Sequence, residues 1–132
     1  MTSLTPTRDA VLAHREKMRE ALVEEIAAGG SRAMHAELTL GFNDLIGLHF
    51  ADCRDQDVDA RECFTILENA MANAIGTVVM SGAETPEDRI AVWGGFMMMI
   101  TQKSKHALSL AQAGVPGTSI MTRIDEPTVG HS

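Results

Sequence analysis

Two stretches of this chain, residues 69–83 and 90–102, contain no charged side chain, and only a short turn separates them. A helix that faces water on one side shows polar residues about every 3.6 positions. The second stretch does not: Ile90, Trp93, Met97 and Ile100 fill one face, while Phe96, Met98 and Met99 point elsewhere with only Gly94, Gly95 and Thr101 between them. Such a helix must be wrapped by its own chain or packed against another copy. The N-terminal part of the chain has only a narrow apolar stripe to offer as a wrapping, so the sequence points to a homo-oligomer, in the simplest case a dimer. Its interface would hold Ile90, Trp93, Gly94, Gly95, Phe96, Met97, Met98 and Met99, with the glycines permitting close approach and the methionines filling an isologous contact.

The ends of this hairpin are legible. Asp59 can accept from the first N–H groups of a helix, and Glu62 three residues on completes a variant of the capping box. From there Ala60, Cys63, Phe64, Leu67, Ala70, Met71, Ala74, Ile75 and Val78 share one face, with Arg61, Glu62, Thr65, Glu68 and Asn69 opposite. Beyond Asn73 the polar side fades into Gly76, Thr77 and Met80, so the end of a helix over residues 60–80 is expected to be covered on two sides. Thr85 caps the next helix, Pro86 takes the first position, where no N–H is needed, and Glu87 with Asp88 complement its positive end. Gly114-Val115-Pro116 stops it after Ala113, at a length of roughly 42 Å.

Upstream, residues 7–28 are rich in Ala, Leu, Glu, Arg and Lys, and Val11, Met18, Leu22 and Ile26 fall at helical spacing. Gly29-Gly30 closes that helix. Glu24 and Glu25 would then sit in its last turn, where the macrodipole disfavours negative charge. Residues 31–53 admit two readings. Ala36, Leu38, Leu40 and Phe42 alternate like a strand, yet Leu38, Phe42, Leu45, Ile46, His49 and Cys53 fit one helical face. Helix is preferred, although Gly41 and Gly47 each cost about 1 kcal/mol in a helix interior. The expected fold is therefore all-α, a helical hairpin-based bundle with the N-terminal and middle segments packed on the hairpin and an extended C-terminal tail. An α+β chain with a short strand near residues 36–42 is the alternative. Residues 1–132 form one domain, with 1–6 and 115–132 as tails. Ile120, Met121, Ile124 and Val129 make the latter tail apolar enough to lie across the helices of its own chain or of a partner.

The balance of 45% hydrophobic and 22% charged residues is that of a globular protein. A net charge of −7 and an aromatic content of 4%, without tyrosine, argue against nucleic acid, which needs basic surface and stacking platforms. The uncharged run of residues 69–83 is shorter than a bilayer span, and the N-terminus lacks the basic-then-apolar order of a secretory signal. The expectation is a cytoplasmic protein with no membrane partner and with Cys53 and Cys63 reduced, Cys63 in the core.

Metal-ligand side chains gather only around His35, Glu37, His49, Asp52 and Cys53. On a helix His49 and Cys53, four apart, could reach one ion, with Asp52 as a further candidate. No second ligand pair at helical spacing accompanies them, so no stoichiometric metal and no cofactor is expected. Asp52, Asp55, Asp57 and Asp59 resemble the opening of a calcium-binding EF-hand loop. Counted from Asp55, however, the turn glycine is replaced by Ala60 and the twelfth-position glutamate by Ile66. No phosphate-binding glycine loop or catalytic constellation is legible. These features suit a non-enzymatic adaptor or assembly protein acting as a homo-oligomer, with a further protein partner possible in that role. The alternative is a small-molecule or metal-binding protein with an inter-helix pocket near His49 and Trp93.

Overall fold

A computed structural model describes residues 6–115, and the expectations for the C-terminal tail beyond Val115 fall outside them. Within them the chain is all-α: α1 Arg8–Ala21, α2 Val23–Ala28, α3 Gly30–Asp55, α4 Ala60–Gly82 and α5 Pro86–Gln112. No strand is present among the described residues. Residues 36–42 lie inside α3, where Thr39 Oγ1 donates to the His35 carbonyl at 2.8 Å and Asn43 Nδ2 to the Thr39 carbonyl at 2.9 Å.

The first helix is interrupted earlier than its composition suggests. Thr7 caps α1 by accepting from the Ala10 amide at 3.1 Å, and α1 ends at Ala21. Leu22 departs from helical geometry with φ −108° and ψ 14°, and α2 runs on to Gly29, whose φ of 70° suits glycine. This break moves Glu24 and Glu25 from a last turn into a first turn, where negative charge is favoured. The expected penalty therefore disappears, and Arg32 of α3 also comes within 3.5 Å of Glu25.

Ion pairs show the direction in which α1 runs along α3. Arg8 pairs with Asp52, Arg15 lies 2.8 Å from Asp44, and Arg19 lies 3.8 Å from Glu37. Residue numbers rise on one helix as they fall on the other, so the two are antiparallel. Val11, His14 and Met18 form the buried stripe of α1, and Ala36, Leu40, Gly47, Phe50, Ala51 and Cys53 are the buried positions of α3. Val11 packs directly on Ala51, with Leu48 beside them. The N-terminal helices thus cover α3 and not the α4–α5 hairpin on which the sequence placed them. The acidic partners of Arg8, Arg15 and Arg19 all lie on α3, flanking this apolar contact.

Between α3 and α4 the chain turns sharply through a Schellman motif. The Val58 amide donates to the Cys53 carbonyl at 2.8 Å and the Asp57 amide to the Arg54 carbonyl at 3.2 Å. Asp57 takes the left-handed conformation, φ 57°, that glycine usually supplies here. Val58 is thereby folded back onto the Phe50–Cys53–Cys63 cluster together with Ile46 and Leu67. Asp59 then caps α4, accepting from the Glu62 amide at 2.9 Å. Thr85 does the same for α5, accepting from the Asp88 amide at 3.1 Å. The two hairpin helices meet near their turn, where Val79 is buried and a Val92 methyl lies 3.6 Å from the place a Gly82 side chain would occupy.

Candidate functional site

Two features stand out among the described residues. One is the outer surface of the hairpin. On α4, Phe64, Met71 and Val78 recur every seven residues and remain 44%, 51% and 44% exposed. With Leu67 and Ala74 they make an alternating three-and-four spacing, the pattern of a helix that packs along another helix. α5 repeats it through Ile90, Trp93, Met97 and Ile100. Of the residues assigned to an interface from sequence, Ile90, Trp93, Met98 and Met99 are exposed, Gly95 faces open space, and Phe96, Met97 and Gly94 are partly covered. Among the described residues the expected two-sided cover at the end of α4 is not seen: Val79 is buried, while Gly76, Thr77, Val78 and Met80 are exposed. An open groove of about 320 Å³ runs between the helices here, lined by Gly76, Val79, Met80, Arg89, Ile90 and Trp93.

α4 also revises one sequence expectation. Judged by the run of residues 69–83 it is too short for a bilayer, but as a continuous 23-residue helix it is long and apolar enough to cross one by length and composition.

The second feature lies at the other end of α4. His49 and Cys53 stand in the last turns of α3, and Cys63 in the first turn of α4. The Schellman turn and the Asp59 cap swing the two helix ends together, so the imidazole meets both sulfurs. His49 Nε2 is 3.5 Å from Cys63 Sγ and 3.7 Å from Cys53 Sγ, and all three ligand atoms lie within 4.8 Å of one another. Nε2 is also 2.8 Å from the Cys63 carbonyl, which accepts from it. Both sulfurs are free and buried, and His49 is half-buried. The Phe50 ring forms the floor, tilted against His49 at 5.5 Å and edge-on to Phe64 at 5.2 Å.

Burial pushes the Cys63 thiol up to about 12, and its hydrogen bond to the Cys53 sulfur adds to the shift. A protonated, buried thiol is a poor nucleophile. The arrangement therefore gives no support to a catalytic cysteine, but thiols and imidazole together are the donor set of a soft metal ion. Of the candidates read from sequence, His49 and Cys53 are brought together and Asp52 is not, because it turns to Arg8. His35 and Glu37 are exposed on α3, away from the cluster. Cys63, assigned from sequence only to the core, is the third member. His49 and Trp93 do not share a pocket. Cys63 and Val79, which mark the two places on α4, are roughly 24 Å apart at 1.5 Å per residue.

No family model matches the chain, and neither a curated protein nor a solved structure shows significant similarity to it.

Proposed function

We propose that the chain is a cytoplasmic, non-enzymatic assembly module that acts as a homodimer, with the α4–α5 hairpins of two copies packed into a four-helix bundle. The observation that carries this is the pair of three-and-four apolar seams left exposed on α4 and α5. Phe64, Ile66, Met71, Val78, Met80, Ile90, Trp93, Met98, Met99, Ile100 and Leu108 are all between 43% and 71% exposed. At about 100 Å² each for a half-exposed large side chain, the six of these that lie on the two seams, Phe64, Met71, Val78, Ile90, Trp93 and Ile100, present on the order of 600 Å², the top of the range for the largest patch of a typical monomer. A standard interface takes about 800 Å² from each partner.

Charge favours a second copy over an unrelated partner. Residues 69–83 and 90–102 carry no charge, so the surface holds nothing to pair with a charged partner, whereas an identical hairpin presents the same uncharged face. Gly76, Gly94 and Gly95 meet nothing within 4 Å where a side chain would stand. Each weakens its helix by about 1 kcal/mol relative to alanine with no contact among the described residues to require it. An approaching helix supplies such a requirement. A bilayer is the less suitable cover, because α4 also bears Arg61, Glu62 and Glu68 and is tied to α3 by its buried first turn.

Trp93, the only tryptophan, reports on this surface directly. Its emission should be blue-shifted and protected from acrylamide at micromolar concentration, and should move to the red on dilution. A solvent-exposed spectrum at every concentration overturns the proposal. A blue shift that appears only on adding lipid vesicles assigns the face to a membrane and overturns it equally.

A further inference from the structure

The distances around His49 fit a metal-ligand set as well as they fit thiol–imidazole hydrogen bonds. Zinc binds sulfur at about 2.3 Å and imidazole nitrogen at about 2.0–2.1 Å, so a tetrahedral site has N···S edges of about 3.6 Å. The two N···S separations here are 3.7 and 3.5 Å. The site is held by backbone structure: His49 and Cys53 are four positions apart on α3, and the capped turn fixes Cys63 against both. We propose that His49, Cys53 and Cys63 bind one thiophilic metal ion per chain, zinc(II) in the first instance. The sequence expectation of no metal rested on His49 and Cys53 lacking another ligand, and α4 supplies it.

The chemistry selects the ion. The cluster offers no oxygen ligand from an acidic side chain, which disfavours calcium and magnesium. A dication with two thiolates and a neutral imidazole sums to zero charge, which suits a buried position, whereas copper(I) would leave one negative charge there. On binding, the two S–H bonds break, both protons pass to solvent, and each sulfur gives a lone pair to the metal. His49 ligates through Nε2 in its Nδ1–H tautomer and exchanges its bond to the Cys63 carbonyl for the ion. Among the described residues no fourth His, Cys, Asp or Glu joins the group, so the fourth position is left to water. The ion would pin the end of α3 to the start of α4 and so fix the angle at which the hairpin leaves the N-terminal helices.

This site is independent of the dimer, and its test does not involve the hairpin face. The full-length chain, reduced and freed of metal, is titrated with cobalt(II) and then zinc(II). The expected result is one equivalent bound, with the visible bands of tetrahedral cobalt and a near-ultraviolet thiolate charge-transfer band that zinc abolishes. Cys53→Ser and Cys63→Ser should each weaken that band, and His49→Ala should lower affinity by at least the ~10-fold that loss of an outer partner costs. A folded wild type with no cobalt spectrum overturns the proposal. Retention of copper(I) in place of zinc overturns the choice of ion.

Discussion

Met98→Glu separates the isolated chain from the proposed dimer, because the same side chain has opposite worth in the two. Met98 is 59% exposed in one chain, so there the substitution removes little burial and adds a solvated charge. Its cost to a monomer should stay within about 0.5 kcal/mol. Across a dimer interface the exposed part of the side chain becomes buried, which is worth about 1–2 kcal/mol of the 1.5–3 for full burial of a methionine. Two-fold symmetry counts the residue twice, giving about 2–4 kcal/mol, and two unpaired carboxylates add several more in desolvation. The dimer should therefore weaken by at least about 4 kcal/mol, close to a thousandfold in Kd. Sedimentation velocity over a concentration series measures it, with Lys17→Glu on the exposed side of α1 as a control that should change nothing. A Met98→Glu protein that sediments like wild type at every concentration refutes the reasoning.

Other consequences follow from the cluster end of the molecule. In the metal-free protein the Cys63 thiol is raised from 9.0 to about 12, so the folded state holds a proton that the unfolded state loses in between. Stability should accordingly be full below about pH 9 and fall by up to about 1.4 kcal/mol per pH unit toward 12, a slope that denaturant unfolding should find absent in Cys63→Ser. Phe50, 3% exposed and in ring contact with both His49 and Phe64, should cost about 3–5 kcal/mol as Phe50→Ala. A loss under 1 kcal/mol in urea titration would contradict its place at the floor of the cluster. Thr85→Ala removes the cap of α5 and should lower stability by about 1 kcal/mol, read in the same assay.

Local signals in the sequence carried much of this fold. Asp59 and Thr85 cap the helices they announce, and Pro86 and Gly114 mark the limits of α5, because capping depends on neighbours a few residues away. Residues 36–42 were ambiguous because Leu38 and Phe42 fit both periods, and the continuous helix around them decides for the longer one. The break at Leu22 had no glycine or proline to announce it. The seat of α1 on α3 depended on pairing Arg8, Arg15 and Arg19 with acids 44, 29 and 18 residues away, which no local pattern encodes. The cluster was half legible. His49 and Cys53 share a helical face, but Cys63 joins them only because Asp57 takes a left-handed turn more usual for glycine. Asp52, adjacent to Cys53 in sequence, lies about 100° away around the helix and is claimed by Arg8. A histidine and cysteine at the end of one helix, with a second cysteine just inside the next, was the signal that could have identified the site.

The account stands most directly on the mass of the wild-type protein in solution. Static light scattering on a size-exclusion column, at micromolar concentration and in a reducing buffer without detergent, should return twice the 14.2 kDa of one chain. The value should fall toward that of one chain only on strong dilution. A particle that scatters as a single 14.2 kDa chain throughout would contradict the dimer, because no second copy would then cover the seams on α4 and α5.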